Sequence, residues 1–419
     1  MLLSLQLTMF LFVWQQDIKT PAQPETVLLA ETPTVDQPAL ERPSAANPST
    51  AATGPDRWLL MKELQGTWQG AMLDESRTAI YGWADIGATV GTAGSNNLPL
   101  GFNFRDNNVS LQQNWVRIER TVVTSSTTEP TFGFRLDTIL PGTDYRFTTA
   151  RGLFNSQLTA DNGKPEIYGI DPVQFYVEAY FPTIASGLDV KVGRFYAQFG
   201  VESIEAPGNA LFSHSYTFLD NPFTQTGVLA MAQLTTAWSV QAGLVMGEDL
   251  FFSPGEQPTF IGDVKWAQPD GRDSVTLSTI LDSARFDQRH QVNNLDILDL
   301  VITHKLNGRL AYSFESLAGY QTCIPDIGTT TWFGAVNYLT YDFAADMSGT
   351  ARLEFWDDPN GQRTGSPGLY TALTGGLNFH PSKAVIFRPE LRYDYNDESR
   401  PFEGQHGLFT AAVDLIIRW

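Results

Sequence analysis

The chain has 419 residues, of which 46 are acidic and 27 are basic, giving a formal net charge of −19. This charge argues against a nucleic-acid-binding protein, which needs a basic face to meet phosphate. One cysteine excludes a disulfide framework, and the five histidines lack metal-ligand spacing, so we expect neither a metal nor a cofactor. Charged residues make up 17% and no run of about 18 apolar residues occurs, which excludes a helical membrane protein.

The first part of the chain is typical of an exported protein. Residues 2–14 are largely apolar, and this length predicts a signal peptide over 1–22, with the cleavage site left open. Residues 23–55 are rich in Pro, Ala and Thr and predict a disordered linker. Residues 56–76 predict a short helix, periplasmic or pore-associated, with Asp56 as its N-cap. Its apolar positions recur every four residues: Leu60, Leu64, Trp68 and Met72.

From residue 77 to the end at residue 419 the period of the apolar pattern changes to two. Alternate side chains of a strand point to opposite faces, so each segment has one apolar and one polar face. Most segments match the length of about 9–11 residues that a tilted transmembrane strand needs. The sixteen predicted strands lie near 79–90, 109–119, 131–140, 172–181, 187–196, 227–234, 237–246, 259–267, 273–282, 297–306, 309–319, 331–341, 347–356, 369–380, 384–395 and 408–419.

Long and short connections alternate between these strands, and one of the long ones, 320–330, would contain Cys323. With an even strand count, this alternation predicts an all-β fold: a closed antiparallel transmembrane β-barrel of about 16 strands. The sheet must close, because an open edge in lipid leaves backbone groups unpaired. Both termini then lie at one rim, which we expect to be periplasmic. Aromatic residues near strand ends predict interface girdles: Phe132, Phe181, Tyr341, Tyr370, Phe379 and Trp419.

The lumen of such a barrel is wide enough for an aqueous channel, and inward charges then decide what passes. The connection 197–226 holds Glu202, Glu205 and Asp220 and neither Lys nor Arg. By analogy with general porins, we expect it to fold inward as a constriction; the alternative is a loop over the mouth. The other predicted pore-lining residues, chosen by parity on the strands, form a mixed ladder: Arg117, Arg135, Glu178, Arg352, Glu354, Arg388, Glu390, Arg392 and Asp394.

The charges of this ladder have two interpretations. Each side chain either contacts solutes or forms a structural ion pair that braces the wall. Acids also outnumber bases in the long connections, which predicts a mild preference for cations, whereas a row of arginines at the constriction would reverse it.

Arg194 does not fit the alternation of its strand. Val190 and Val192 occupy the outer face, so parity places Arg194 there too. Either a bulge at Gly193 reverses the register, or the side chain extends to the membrane interface.

Several runs resemble a known family. YGIDPVQFYVEAYFP, LDVKVGRFYAQFGVESIEAPGN and LFSHSYTFLDNPFTQTGVLA resemble the putative beta-barrel porin-2 (OmpL-like) family of bacterial outer-membrane proteins, and YGWADIGATVG, LPGTDYRF and WLLMKELQGTWQG are similar to its planctomycete-type members. The resemblance spans about 58–419 and implies an outer-membrane location, a porin role and no catalytic residues. Trp419 resembles the C-terminal aromatic that the barrel-assembly machinery recognises. The other partners implied are membrane lipid and small hydrophilic solutes or ions, and general porins of this strand number often form homotrimers.

Two functions stay open from the sequence. The first is a porin for passive diffusion of small hydrophilic solutes or ions. The second is a plugged, structural or adhesive barrel tethered to the cell wall, which the Pro-rich linker and the short helix favour. We do not expect an enzyme: Ser213, His214 and Ser215 supply the residue types of a catalytic relay, but adjacent residues point to different faces and no G-x-S-x-G occurs.

Overall fold

The computed structural model describes residues 57–419 apart from 126, 160–162, 253–257, 283–294 and 325. The predicted signal peptide, the linker and Asp56 therefore lie outside the described residues. Within them, each strand pairs antiparallel with the next and β1 pairs with β16, which confirms the closed sixteen-stranded barrel. The strands are β1 (Ala79–Gly91), β2 (Asn108–Arg120), β3 (Thr131–Gly142), β4 (Gly169–Phe181), β5 (Leu188–Tyr196), β6 (Thr224–Gln233), β7 (Trp238–Val245), β8 (Thr259–Ala267), β9 (Asp273–Leu281), β10 (Leu295–Lys305), β11 (Leu310–Ile324), β12 (Gly328–Ala344), β13 (Met347–Asp358), β14 (Gly368–Ser382), β15 (Val385–Asn396) and β16 (Gly407–Arg418).

The outer face of the barrel is apolar. On β13, Arg352 and Glu354 are buried, whereas Leu353 between them is 39% exposed. A band of this composition suits contact with lipid, whereas in water an exposed apolar surface of this kind favours aggregation. Exposed apolar side chains recur around the whole circumference: Ile86, Phe134, Val177, Val192, Val228, Leu244, Val264, Leu277, Leu298, Leu339, Leu353, Leu373, Leu391 and Phe409.

The two rims differ in their connections. We call the rim with the longer connections the loop end, and the rim where β1 begins and β16 ends the turn end. The connection 325–327 between β11 and β12 is the exception, because pairing continues as far as Ile324 and Gly328. The β-branched run 329–331 favours this extended hairpin. The predicted long connection there is wrong, and Cys323 lies in β11.

Residues before β1 form two short helices instead of the predicted one. These are α1 (Leu59–Glu63) and α2 (Trp68–Ser76). The Thr67 hydroxyl accepts the amide of Gly70, which begins α2 separately. No helix among the described residues is long and apolar enough to cross a membrane.

The apolar face predicted for this segment is not the buried one. Trp68 is 72% and Met72 is 54% exposed, whereas Met61 and Leu73 are buried. The break between the helices explains the difference, because it ends the four-residue spacing after Leu64.

Arg194 is fully buried, although β5 pairs with both neighbours through Gly193 without a register shift. Both explanations offered from the sequence are therefore wrong. The guanidinium donates to Asp171 at 2.8 Å and to the Thr148 carbonyl of the connection 143–168. This connection, which contains α3 (Tyr145–Thr148), contributes to the cover of the arginine from a distant part of the chain.

Candidate functional site

The connection 197–223 lies inside the barrel. Glu205 pairs with Arg117 of β2, and Glu202 pairs with Arg352 of β13 at 2.7 Å. The Gly200 amide donates to Asp299 of β10 at 2.9 Å. A segment that contacts strands so far apart around a closed sheet must cross its interior. It contains a 3₁₀ turn (Ala206–Gly208) and the short helix α4 (Tyr216–Leu219).

The Glu202 carboxylate of this connection has four partners. One carboxylate oxygen accepts from Arg352 and from the Tyr338 hydroxyl at 2.9 Å. The other accepts the Ser215 amide at 2.9 Å and lies 3.0 Å from His214 Nδ1. Burial would raise the pKa of Glu202, but Arg352 and these hydrogen bonds outweigh it and lower the pKa to about 2. Glu202 is therefore ionised at neutral pH.

His214 packs between aromatic rings beside this carboxylate. Its ring stacks on Phe218 with centroids 4.1 Å apart and contacts Phe102 at 4.5 Å. Burial lowers the pKa of His214 below its ordinary value, against the opposing effect of Glu202. The flanking hydroxyls have other partners: Ser213 accepts from Arg352, and Ser215 accepts the Phe218 amide.

The tip of the connection is held by β2 and β15. Arg388, which pairs with Asp414, donates to the carbonyls of Ala206 at 2.8 Å and Asn209 at 2.7 Å. Gln113 donates to the Ile204 carbonyl at 2.8 Å and accepts the Ala206 amide at 3.2 Å. Peptide groups that would otherwise be buried without partners are thereby satisfied.

The segment after the tip is held by charged side chains of β13 and β15. Arg392 donates to the His214 carbonyl at 2.6 Å, and Glu354 accepts the Tyr216 amide at 2.9 Å. Glu390 accepts the amides of Phe212 and Ser213 at 3.0 and 3.1 Å. Arginines of the wall thus bind carbonyls of the connection, while acids of the wall bind its amides.

Acids of the opposite wall hold the start of the connection, and the sequence did not identify them. Asp299 of β10 accepts the Gly200 amide, and Glu315 of β11 accepts the Val201 amide at 2.9 Å. Both are buried and inward-facing. The alternation of their strands could have placed both acids on the inner face. Their partners are backbone amides, however, and the residue types do not indicate which amides these are.

Ten of the predicted pore-lining residues fall into two groups by exposure. Seven have at most 5% of their surface exposed: Arg117, Arg352, Glu354, Arg388, Glu390, Arg392 and Asp394. By contrast, the side chains of Arg135, Glu178 and Glu205 are 20%, 14% and 22% exposed. Arg135 pairs with Glu119 at 2.5 Å, and Glu178 lies 3.4 Å from Lys191. These accessible pairs lie toward the turn end, where β3 begins and β4 ends.

Apolar side chains fill much of the interior nearer the loop end. Tyr370, predicted for an outer girdle, belongs to this group: it is fully buried and its ring lies 5.0 Å from that of Tyr216. The alternation of β14 explains why the girdle prediction is wrong for Tyr370, because Tyr370 lies on the same face as the buried Thr374. The cluster includes Leu100, Leu229, Ile261, Ile280, Ile297, Leu317, Trp332, Trp356, Phe402 and Leu408.

Asp220 lies at the end of the connection, outside the strands. Burial raises its pKa to about 7, against the opposing effect of Arg363, which donates to the Asp220 carbonyl. Burial likewise raises the pKa of Asp144 and of Asp249 to about 7. Three carboxyl groups of the loop end therefore titrate near neutral pH.

We expect the Asp220→Asn variant to be more stable than the wild type above pH 7. The folded pKa is about 7 and the ordinary value is 3.8, so the folded state holds the proton longer. The contribution of Asp220 to stability falls as pH rises through this window and stays low above it. Unfolding followed against pH in detergent measures the gain, with exposed Asp270→Asn as the control. A gain confined to pH below 3.8 would contradict the assignment.

The fold of this chain is shared with solved outer-membrane porins and channels. The outer membrane channel DcaP of Acinetobacter baumannii is similar over 82% of this chain and 96% of its own, with a TM-score of 0.54 and 10% identity. An anion-selective porin from Comamonas acidovorans is similar over 82% and 99%, with a TM-score of 0.53 and 9% identity. At these identities the likeness shows the fold alone.

The family is shown by the sequence itself. Residues 77–418 match the family described as putative beta-barrel porin-2, OmpL-like, and the chain belongs to this family. No curated protein sequence gives a significant match. Membership in a family described as porins favours a channel over an enzyme.

Proposed function

We propose that this protein is an outer-membrane porin for passive diffusion of small hydrophilic solutes or ions, narrowed by the connection 197–223. The carrying observation is that this segment crosses the lumen and is hydrogen-bonded to both sides of the wall. Arg352, Arg388 and Arg392 act in this account as anchors of the constriction, because they are buried against it. The interpretation of the wall charges as structural ion pairs is thus favoured for these three.

The accessible charges of the turn end are proposed to select the solute. Arg135 and Lys191 alternate there with Glu119 and Glu178, so both signs face the lumen. Such a wall favours polar solutes and passes ions of either sign, with selectivity set by the balance of charges. We place the loop end outside the cell, both termini in the periplasm, and Trp419 as the signal for barrel assembly, with a homotrimer as the assembly.

The test is single-channel conductance of the refolded protein in a planar bilayer under a salt gradient. Stable conductance steps support the porin, and the reversal potential gives the selectivity. Folded, heat-modifiable protein that gives no steps contradicts passive diffusion.

We expect Arg135→Gln and Glu178→Gln to shift the reversal potential in opposite directions. The first removes a positive charge from the accessible wall and favours cations, and the second removes a negative charge and favours anions. Each variant serves as the control of the other, since both remove one partner of an ion pair. Shifts of the same sign, or none in both, would contradict the placement of the selecting charges.

A plugged barrel is the second candidate, and one observation favours it. The apolar cluster around Trp332, Trp356 and Tyr370 occupies interior space that is polar in an open porin. A plugged barrel predicts silence in the same experiment. Conductance gained by removing the connection 197–223, without any in the wild type, would then identify that segment as the plug.

A further inference from the structure

The segment before β1 contacts the inner wall at the turn end. The ring of Trp58 stacks on Tyr81 with centroids 5.4 Å apart and an interplanar angle of 16°. The Arg418 guanidinium also lies over the Trp58 ring, 5.7 Å from its centroid. Arg57 donates to both carboxylate oxygens of Asp74 at 2.6 and 3.1 Å, so the residue before Trp58 is joined to α2.

Both partners of Trp58 are linked by further contacts to the tip of the connection 197–223. Arg418 donates to the Pro207 carbonyl at 3.3 Å. Arg117 lies over the Tyr81 ring at 5.6 Å and pairs with Glu205. Two separate routes therefore connect one indole ring to the tip. The route to Pro207 passes through Arg418 alone, and the route to Glu205 passes through Tyr81 and Arg117.

We propose that Trp58 is a positioning residue for the constriction. It fixes Tyr81 and Arg418, and through them the position of the tip 205–208. The solute does not touch Trp58 in this account. This inference rests on the proposed function for its effect on conductance, but the positioning of the tip can be measured without conduction.

The residue types suit this role. Stacked aromatic rings and a guanidinium over an indole are directional contacts worth more than their buried area alone. Arg418 has donors on one planar group for both the ring and a carbonyl, which a lysine does not offer. Trp68 provides a matched comparison ten residues away: it is 72% exposed on α2.

The experiment compares Trp58→Ala with Trp68→Ala in the full chain. We expect Trp58→Ala to speed hydrogen exchange of the Ala206, Gly208 and Asn209 amides about threefold to tenfold, the size of one ring pair plus one cation–π contact. Transitions between conductance levels should become more frequent. Trp68→Ala should change exchange at the tip by less than about twofold, as surface substitutions do. Equal effects of the two variants would overturn the proposal.

Two further variants keep the proposal falsifiable if Trp58→Ala weakens the whole barrel. Trp58→Phe retains a ring on Tyr81 and should restore most of the protection at the tip; exchange as fast as in Trp58→Ala overturns the proposal. Arg418→Met should loosen the tip, and adding Trp58→Ala should then have less effect than alone, because both lie on one route. A non-conducting wild type whose tip still depends on Trp58 would overturn the porin function and not this inference.

Discussion

Replacing Arg388 by methionine is expected to free the tip of the connection 197–223 and to raise single-channel conductance. Arg388 binds Asp414 and two carbonyls of the tip, and all of these groups are buried. Removing one partner of a buried ion pair costs about 3–5 kcal/mol, since the other charge is left uncompensated. The amides of the tip should then exchange about 100-fold faster or more.

The control for Arg388→Met is Arg309→Met. Arg309 is exposed in the turn between β10 and β11, so its replacement should change neither conductance nor exchange at the tip. Unchanged conductance in Arg388→Met, with the barrel folded and the tip exchanging faster, would separate the tip from the narrowest part of the channel and contradict the account.

Glu202→Gln is expected to have a comparable effect on the middle of the connection. The carboxylate serves Arg352, Tyr338, Ser215 and His214 together, and a neutral amide removes the charge that Arg352 requires. The loss of a buried pair again predicts about 3–5 kcal/mol less resistance to local opening. Hydrogen exchange of the Ser215 and Tyr216 amides measures it, with exposed Glu63→Gln on α1 as the control.

The pH dependence of this effect has a definite sign. Glu202 has a pKa of about 2 in the folded state against an ordinary value of 4.5. Its contribution to stability is therefore complete above 4.5 and is lost as pH falls toward about 2. The wild type should lose protection of the connection across this window, and Glu202→Gln should not. Parallel acid profiles of the two proteins would contradict the role of Glu202.

The barrel could be predicted from sequence because a wall between lipid and a lumen imposes a strict alternation. Each of the sixteen strands predicted from period two is present, with bounds that differ by a few residues in most cases. The largest error is the hairpin of β11 and β12, where residues assigned to a connection continue the pairing. The failure is local: the apolar alternation weakens there, while backbone pairing continues past a register shift after Gln321 as far as Ile324 and Gly328.

The features that the sequence did not predict depend on contacts between distant segments of the chain. The alternation of β5 correctly predicted the outer face for Val192. Arg194, however, is covered by a connection whose Thr148 lies 46 residues earlier in the chain, and the sequence of β5 does not indicate this contact. The anchoring of the connection 197–223 uses backbone groups of Gly200, Phe212 and Tyr216. Every residue has such groups, so the sequence could indicate the acids and arginines but not their partners.

The N-terminal segment shows the same limit. Its apolar spacing predicts one helix, yet the ring that stacks on the barrel wall is Trp58, which precedes α1 and lies outside that spacing. Its partner Tyr81 belongs to the first strand of the barrel, and its partner Arg418 belongs to the last. Only closure of the barrel through β1 and β16 brings them together.

Whether the connection 197–223 narrows the channel is tested most directly by comparing the wild type with a variant in which residues 200–219 are replaced by a short glycine-serine link. We expect stable steps in the wild type and a larger conductance in the variant. The reversal potential should shift toward anions, because the replacement removes Glu202 and Glu205 and leaves their partners Arg352 and Arg117 facing water. Equal conductance and equal reversal potential in two folded, heat-modifiable proteins would show that this connection does not narrow the channel.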